Sequence, residues 1–250
     1  MITAGVDLAA SPAKTAIARV EWMDGAGARL LTVQERAEDE AIVEAVRTAA
    51  KTGIDCPLGW PAPFVDFLHR HERGSVAPHE FRSTELRRSI AYRRTDLVLN
   101  RAGYRPLSVS ADRIGHAAMR AAGLLAALAQ DGHDVDRAGR GAVVEVYPAG
   151  ALHYWGLAWR VYKGNSHTDQ RHQLVQALVD AAPWLEMSVD QVDRLRHSDD
   201  AFDAVIAAFV ARAAAIGAVG RPDPADEVLA AREGWIALPT TPLDGLLDPH

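Results

Sequence analysis

The chain has 250 residues, 27 basic against 33 acidic, a formal charge of −6, and 48% hydrophobic residues. That length and apolar share support one large domain or two small ones with a real core, and they exclude a disordered or collagen-like polypeptide. The acidic balance argues against a protein that coats nucleic acid while leaving room for a local phosphate-binding surface, and the single cysteine, Cys56, rules out an internal disulfide.

Residues 2–8 are short, apolar and β-prone, and Asp7 interrupts them too early for a signal peptide. Residues 14–22 and 28–33 follow across Ser11-Pro12 and a turn at Asp24-Gly25-Ala26-Gly27, which predicts a three-stranded antiparallel meander. Between 38 and 50, Ala41, Ile42, Ala45, Val46 and Ala49 recur at helical spacing, and Gly53 is expected to end that helix before a strand over 53–56. A strand entered through a helical crossover is expected to pair in parallel. Residues 57–110 have no strand pattern, carry Pro57, Pro61 and Pro63, and have an arginine-dense centre, so they read as a helical insertion. A helix over 114–130 and a buried strand over 141–147 come next, followed by a second mostly helical insertion over 148–197 that contains a helix at 170–181. Ser198 or Asp199 is the natural N-cap of the last long helix, which runs to about residue 216. Residues 201–220 are the most membrane-like stretch, but Asp203 and Arg212 mark them as part of a soluble Ala-rich helix, so no membrane partner is expected. A short strand at 235–238 closes the pattern, with no tandem repeats. The order predicts one α/β domain over 1–250, and the reducing environment suited to a lone cysteine predicts a cytoplasmic location.

Gly5-Val6-Asp7, Gly53-Ile54-Asp55 and Val143-Val144-Glu145 each place a carboxylate at or near the end of a predicted strand. Neighbouring strands lie about 4.8 Å apart, so parallel alignment would bring the three acids to one edge of the sheet, where open α/β sheets bind ligands. Clustered carboxylates repel one another and are costly to bury unpaired, so protons or cations must neutralise them; hard oxygen ligands suit Mg²⁺ or Mn²⁺. The last helix adds Asp200 and Asp203, three residues apart and on one face, with Asp199 as a cap. Asp203 is set among Phe202, Ala204, Val205 and Ile206 and is expected to face the cluster, with Asp200 acting through water. Taken singly, each acid has a simpler explanation. Asp7 and Asp55 suit turns, Glu145 can pair an arginine, and Asp200 complements a helix dipole.

The strand acids together with the helical Asp-Asp-Ala-Phe-Asp-Ala segment resemble the ribonuclease H-like superfamily, closest to its Holliday junction resolvase-type members. Within it, Gly53-Ile-Asp-Cys-Pro-Leu-Gly, Arg93-Arg-Thr-Asp96 and Glu145-Val-Tyr-Pro148 resemble the DUF429 family of predicted nucleases, over nearly the whole chain. The resemblance implies a mixed five-stranded sheet with helices on both faces and helical insertions. It also implies metal ligation by Asp7, Asp55, Glu145 and either Asp200 or Asp203, with Asp7, Asp55, Glu145 and Asp203 catalytic.

Between 82 and 105, seven arginines face only Glu85 and Asp96, which makes this the best phosphate-facing candidate, with Arg93 and Arg94 foremost and Tyr92 and Tyr104 available to stack on bases. The alternative is a solvated helix face with internal Arg–Asp pairs. Lys163 and His167, in the loop before the 170–181 helix, are further candidates to reach substrate. His69, His71 and His79 match no zinc spacing and read as surface residues, Cys56 as a buried structural thiol, and Tyr154, Trp155, Leu157 and Trp159 as the core face of a helix.

Two functions compete. The first is hydrolysis of phosphodiester bonds in nucleic acid or nucleotides, with two divalent ions about 4 Å apart on the carboxylates. The second is a non-catalytic nucleotide- or protein-binding domain that keeps the fold, favoured by the acidic charge and by the scarcity of lysine. A sugar-kinase or actin-like ATPase ranks last, because Ala9-Ala10-Ser11-Pro12 lacks the glycine-rich phosphate hairpin and no second domain copy follows.

Overall fold

The three apolar runs at the N-terminus build the antiparallel half of a mixed sheet. The computed structural model describes residues 1–23 and 27–248, so most of the turn expected at 24–27 lies outside the described residues. β1 (Ile2–Asp7) pairs antiparallel with β2 (Ala16–Met23), which pairs antiparallel with β3 (Gly27–Glu35). After α1 (Asp39–Thr48), β4 (Lys51–Asp55) returns parallel to β1 on its other side. The first insertion folds as α2 (Ala62–Glu72), α3 (Thr84–Ala91) and α4 (Arg94–Arg101), and α5 (Gly115–Gln130) leads to β5 (Val143–Val146), parallel to β4. The second insertion contributes α6 (Pro148–Tyr154), α7 (Thr168–Ala181), β6 (Leu185–Glu186) and α8 (Val189–His197). α9 (Asp199–Ala215), α10 (Glu227–Glu233) and β7 (Ile236–Ala237) follow.

Among the described residues the sheet order is β6-β3-β2-β1-β4-β5-β7, seven strands rather than the five expected. The five long strands form its centre. The additions are two-residue segments that pair in parallel at the edges, β6 with β3 and β7 with β5. β7 falls within the strand expected at 235–238; β6 is too short to show the alternation by which a strand is read. Two further boundaries differ from expectation. α1 ends at Thr48 and β4 begins at Lys51, so Gly53 lies inside the strand. The helix expected to carry Tyr154, Trp155, Leu157 and Trp159 ends at Tyr154, because Gly156 turns the chain at φ 73°. Trp155, Leu157 and Trp159 still pack on the core, whereas Tyr154 is exposed. Among the described residues no helix is long and apolar enough to cross a membrane.

Helices cover both faces. On one, Val6, Ile17, Ile54 and Val143 pack with Ile42 and Val46 of α1 and with Leu124, Leu125 and Leu128 of α5. On the other, Ala18, Val20, Trp22, Val144 and Val146 meet α9, which is buried without a break from Ala201 to Ala213. α9 lies unusually close. A Cβ on Gly5 would stand 2.1 Å from the Ala204 carbonyl oxygen, and one on Gly53 would stand 2.4 Å from that of Ala207. These glycines pair in register across β1 and β4, so together they form a groove for the alanine face of the helix. Thr3, on the same face of β1, donates its hydroxyl to the Ala208 carbonyl at 2.9 Å.

Gly53→Ala should therefore force backbone against backbone and lower stability by at least the ~1–3 kcal/mol typical of an overpacked core, read from the urea midpoint. Gly123→Ala in α5, where an added Cβ meets nothing within 4 Å, should instead raise stability by up to ~1 kcal/mol.

Candidate metal centre

Side chains on a strand alternate faces, so Asp7 shares a face with Gly5 and Asp55 shares one with Gly53. The groove that admits α9 thus continues directly into two carboxylates, which pair in register at the ends of β1 and β4. Asp203 lies one turn before Ala207, the residue seated at Gly53, and α9 starts at the same edge under a Ser198 cap that accepts from Ala201 N at 3.1 Å. Carboxylate oxygens of Asp7, Asp55 and Asp203 consequently lie within 4.8 Å of one another. Asp203 is fully buried; its Oδ1 accepts from the Tyr162 hydroxyl at 2.9 Å, and its Oδ2 meets the Lys163 ammonium at 2.5 Å. Asp7 and Asp55 line a cleft of about 270 Å³ together with Lys163, Glu145 and Arg93, and its walls include Pro106, Leu107, Tyr147 and Pro148.

Burial, with the charges of Asp203 and Asp55 added to it, pushes the Asp7 carboxyl well above its ordinary range. Burial also pushes Asp55 up to about 7, with the Lys163 charge opposing and the charges of Asp203 and Glu145 assisting. Removal from water works against the Lys163 charge, but Asp203, Tyr162, Asp55 and Asp7 hold that ammonium well above its ordinary value. Burial and mutual repulsion thus disfavour the charged forms of Asp7 and Asp55, and a further cation would favour them. The donors of the group fit one. All are hard carboxylate oxygens, and an ion with ligands at about 2.1 Å spans about 4.2 Å between opposite ligands, within small side-chain rotations of the spacing here.

The structure does not bring every expected residue into this group. Glu145 pairs with Ile54, not Asp55, so it shares the face of Ile54 and points away from α9. There it is 2% exposed; Arg93 donates to both its oxygens, each at 2.7 Å, and Leu58 N adds a bond at 3.0 Å. Asp200 sits a turn nearer the start of α9, partly exposed and 4.0 Å from the Lys14 ammonium.

Arg93 has all five N–H groups engaged. Nε and Nη2 donate to Asp96 at 3.1 and 2.9 Å, Nη1 and Nη2 to Glu145, and Nη1 also to the Glu233 carbonyl at 3.3 Å. None is left for a substrate phosphate. Arg94 Nε donates to Asp226 at 2.8 Å, and the Thr95 hydroxyl accepts from Ile236 N at 3.0 Å. The Arg-Arg-Thr-Asp segment thus locks the first insertion to β5, α10 and β7. Arg87 stays on the surface and donates to the Phe81 and Arg82 carbonyls. His69, His71 and His79 lie on the surface, and Cys56 is buried on the face opposite the acids.

Tyr162, Lys14 and Arg171 escape the sequence reading. Arg171 alone carried a signal, a charge in register with Leu174, Val175 and Leu178 on the buried face of α7.

An open α/β sheet with an acidic group at its carboxyl edge defines the class of this protein. The chain belongs to the DUF429 family, described as a protein of unknown function, which matches residues 5–227. No curated protein and no solved structure matches it.

Arg93→Ala should strand two buried carboxylates and cost ~3–5 kcal/mol by chemical denaturation, against less than ~0.5 kcal/mol for a surface arginine. The raised Asp55 carboxyl makes a second expectation. Between its ordinary value of 3.8 and about 7 the folded protein holds a proton that the unfolded chain has released. Stability of the metal-free protein should fall as pH rises through that window, and Asp55→Asn should flatten the slope in thermal melts.

Proposed function

We propose that this protein is a divalent-metal-dependent nuclease of the ribonuclease H-like type, hydrolysing phosphodiester bonds of nucleic acid or nucleotides in the cleft above Asp7, Asp55 and Asp203. The observation that carries the reading is the convergence of these three carboxylates, from two parallel strands and one helix, at the carboxyl edge of the sheet. The strand order β3-β2-β1-β4-β5, a meander joined to parallel strands with an acidic helix across it, supports the superfamily assignment.

Asp7, Asp55 and Asp203 would hold Mg²⁺ or Mn²⁺, which when bound supplies an activated water and charge stabilisation at the phosphoryl oxygens. The chain's own residues do the positioning. Tyr162 orients Asp203 through Oδ1, so that this carboxylate keeps one rotamer against Asp7 and Asp55. Lys163 brings positive charge to the side where a phosphate would lie. Tyr147 and Leu107 offer apolar wall for a base or sugar. Glu145 and Arg93, on the other face, stiffen the same edge by tying β5 to the first insertion. Asp200 stands close enough to assist through water.

The engagement of Arg93 with Glu145 and of Arg94 with Asp226 favours a second reading, a binding domain without catalysis, since the two arginines placed foremost for phosphate are already paired. One set of measurements separates the two. Mg²⁺ or Mn²⁺ should raise the melting temperature, and Asp7→Asn should remove most of that shift. On DNA and RNA oligonucleotides, Asp203→Asn should abolish cleavage with the fold intact, while Asp200→Asn leaves measurable activity. Equal metal-induced shifts in wild type and Asp7→Asn would overturn the metal site, and metal binding without cleavage of any oligonucleotide would leave the binding domain.

A further inference from the structure

Of the 27 basic residues only three are lysines, and one of these, Lys163, stands in the acidic group on Asp203, while Lys14 lies on the surface near Asp200. The choice has physical content. A guanidinium forks across a carboxylate, as Arg93 does on Glu145, whereas an ammonium is a compact point charge that acts much as a small cation does. Lys163 is also held in place. Arg171, 1% exposed, donates to the Tyr162 carbonyl at 2.8 Å and to the Gly164 carbonyl at 3.2 Å, on either side of the lysine. The same guanidinium reaches the Arg196 and His197 carbonyls at the end of α8, and Asp199 accepts from Gly164 N at 3.0 Å. The loop is thus clamped from both ends, and the ammonium is delivered to Asp203 Oδ2.

With Tyr162 on Oδ1 and Lys163 on Oδ2, each oxygen of Asp203 already has a partner, so this carboxylate is poorly placed to bridge two ions. Three carboxylates carry three negative charges, which one ammonium and one divalent ion cancel. We infer that Lys163 is a resident cation that takes the place of one of the two expected divalent ions, so that the free protein binds a single one. This rests on the metal-dependent reading above.

The test counts ions without nucleic acid or activity. Mn²⁺ titration of the full chain, followed by electron paramagnetic resonance and calorimetry, should saturate at one ion in wild type and at two in Lys163→Gln. Lys163 is half exposed, and circular dichroism checks that the variant is folded. Two ions in wild type would overturn the inference whatever the variant does, and so would one ion in both proteins. No saturable Mn²⁺ binding in either would instead remove the metal reading itself.

Discussion

A helix can approach a sheet only as closely as the side chains between them allow, and here that distance decides whether a site exists. Gly5 and Gly53 leave bare backbone under Ala204 and Ala207, and α9 settles into the gap. With ordinary side chains at those two positions the helix would stand off, and Asp203 would lift away from Asp7 and Asp55. The Gly-x-Asp pattern on both strands joins cause and effect within three residues. The glycine admits the helix, and the aspartate, one alternation further on the same face, meets what the helix brings. The alanine-rich character of α9 belongs to the same constraint, since bulk on its sheet-facing side would undo what the glycines permit.

The two faces of the sheet edge handle buried charge in opposite ways. On the α9 face three carboxyl groups share one ammonium, and burial with mutual repulsion pushes the Asp7 and Asp55 carboxyls above their ordinary range. On the other face Glu145 and Asp96 close completely around Arg93, and no donor of the guanidinium remains open. A closed ion-pair network is a structural fastening that costs desolvation and repays it in geometry. An open one is chemically available. Neighbouring strands thus carry carboxylates that look equivalent in the sequence and are not.

Much of this was legible beforehand, and the exceptions have definite causes. The meander, the parallel strands and the last helix follow from apolar spacing. Asp7, Asp55 and Asp203 follow from their place in those elements. Glu145 shows where the reading stops. Val143-Val144-Glu145-Val146 is buried on both sides, so its residues give no alternation from which a face can be assigned, and a register offset of one residue turns the carboxylate over. The fate of the arginines was hidden for another reason. Arg93 finds Glu145 52 positions away, and Arg94 finds Asp226 132 positions away, pairings that no local pattern encodes.

The placement of α9 also has a temporal side. β1 is the first strand of the chain and lies in the middle of the sheet, while its partner helix begins only at Asp199. A chain emerging from the ribosome can pair β1 with β2 and β3 early, yet one face of that meander must wait until α9 has been made. Such long sequence separations slow folding and leave apolar surface open in the interval. The acidic group is then among the last features to form. Until α9 docks, Asp7 and Asp55 remain solvated and ordinary, and the nascent protein carries no crowded charge that a cation would need to quiet.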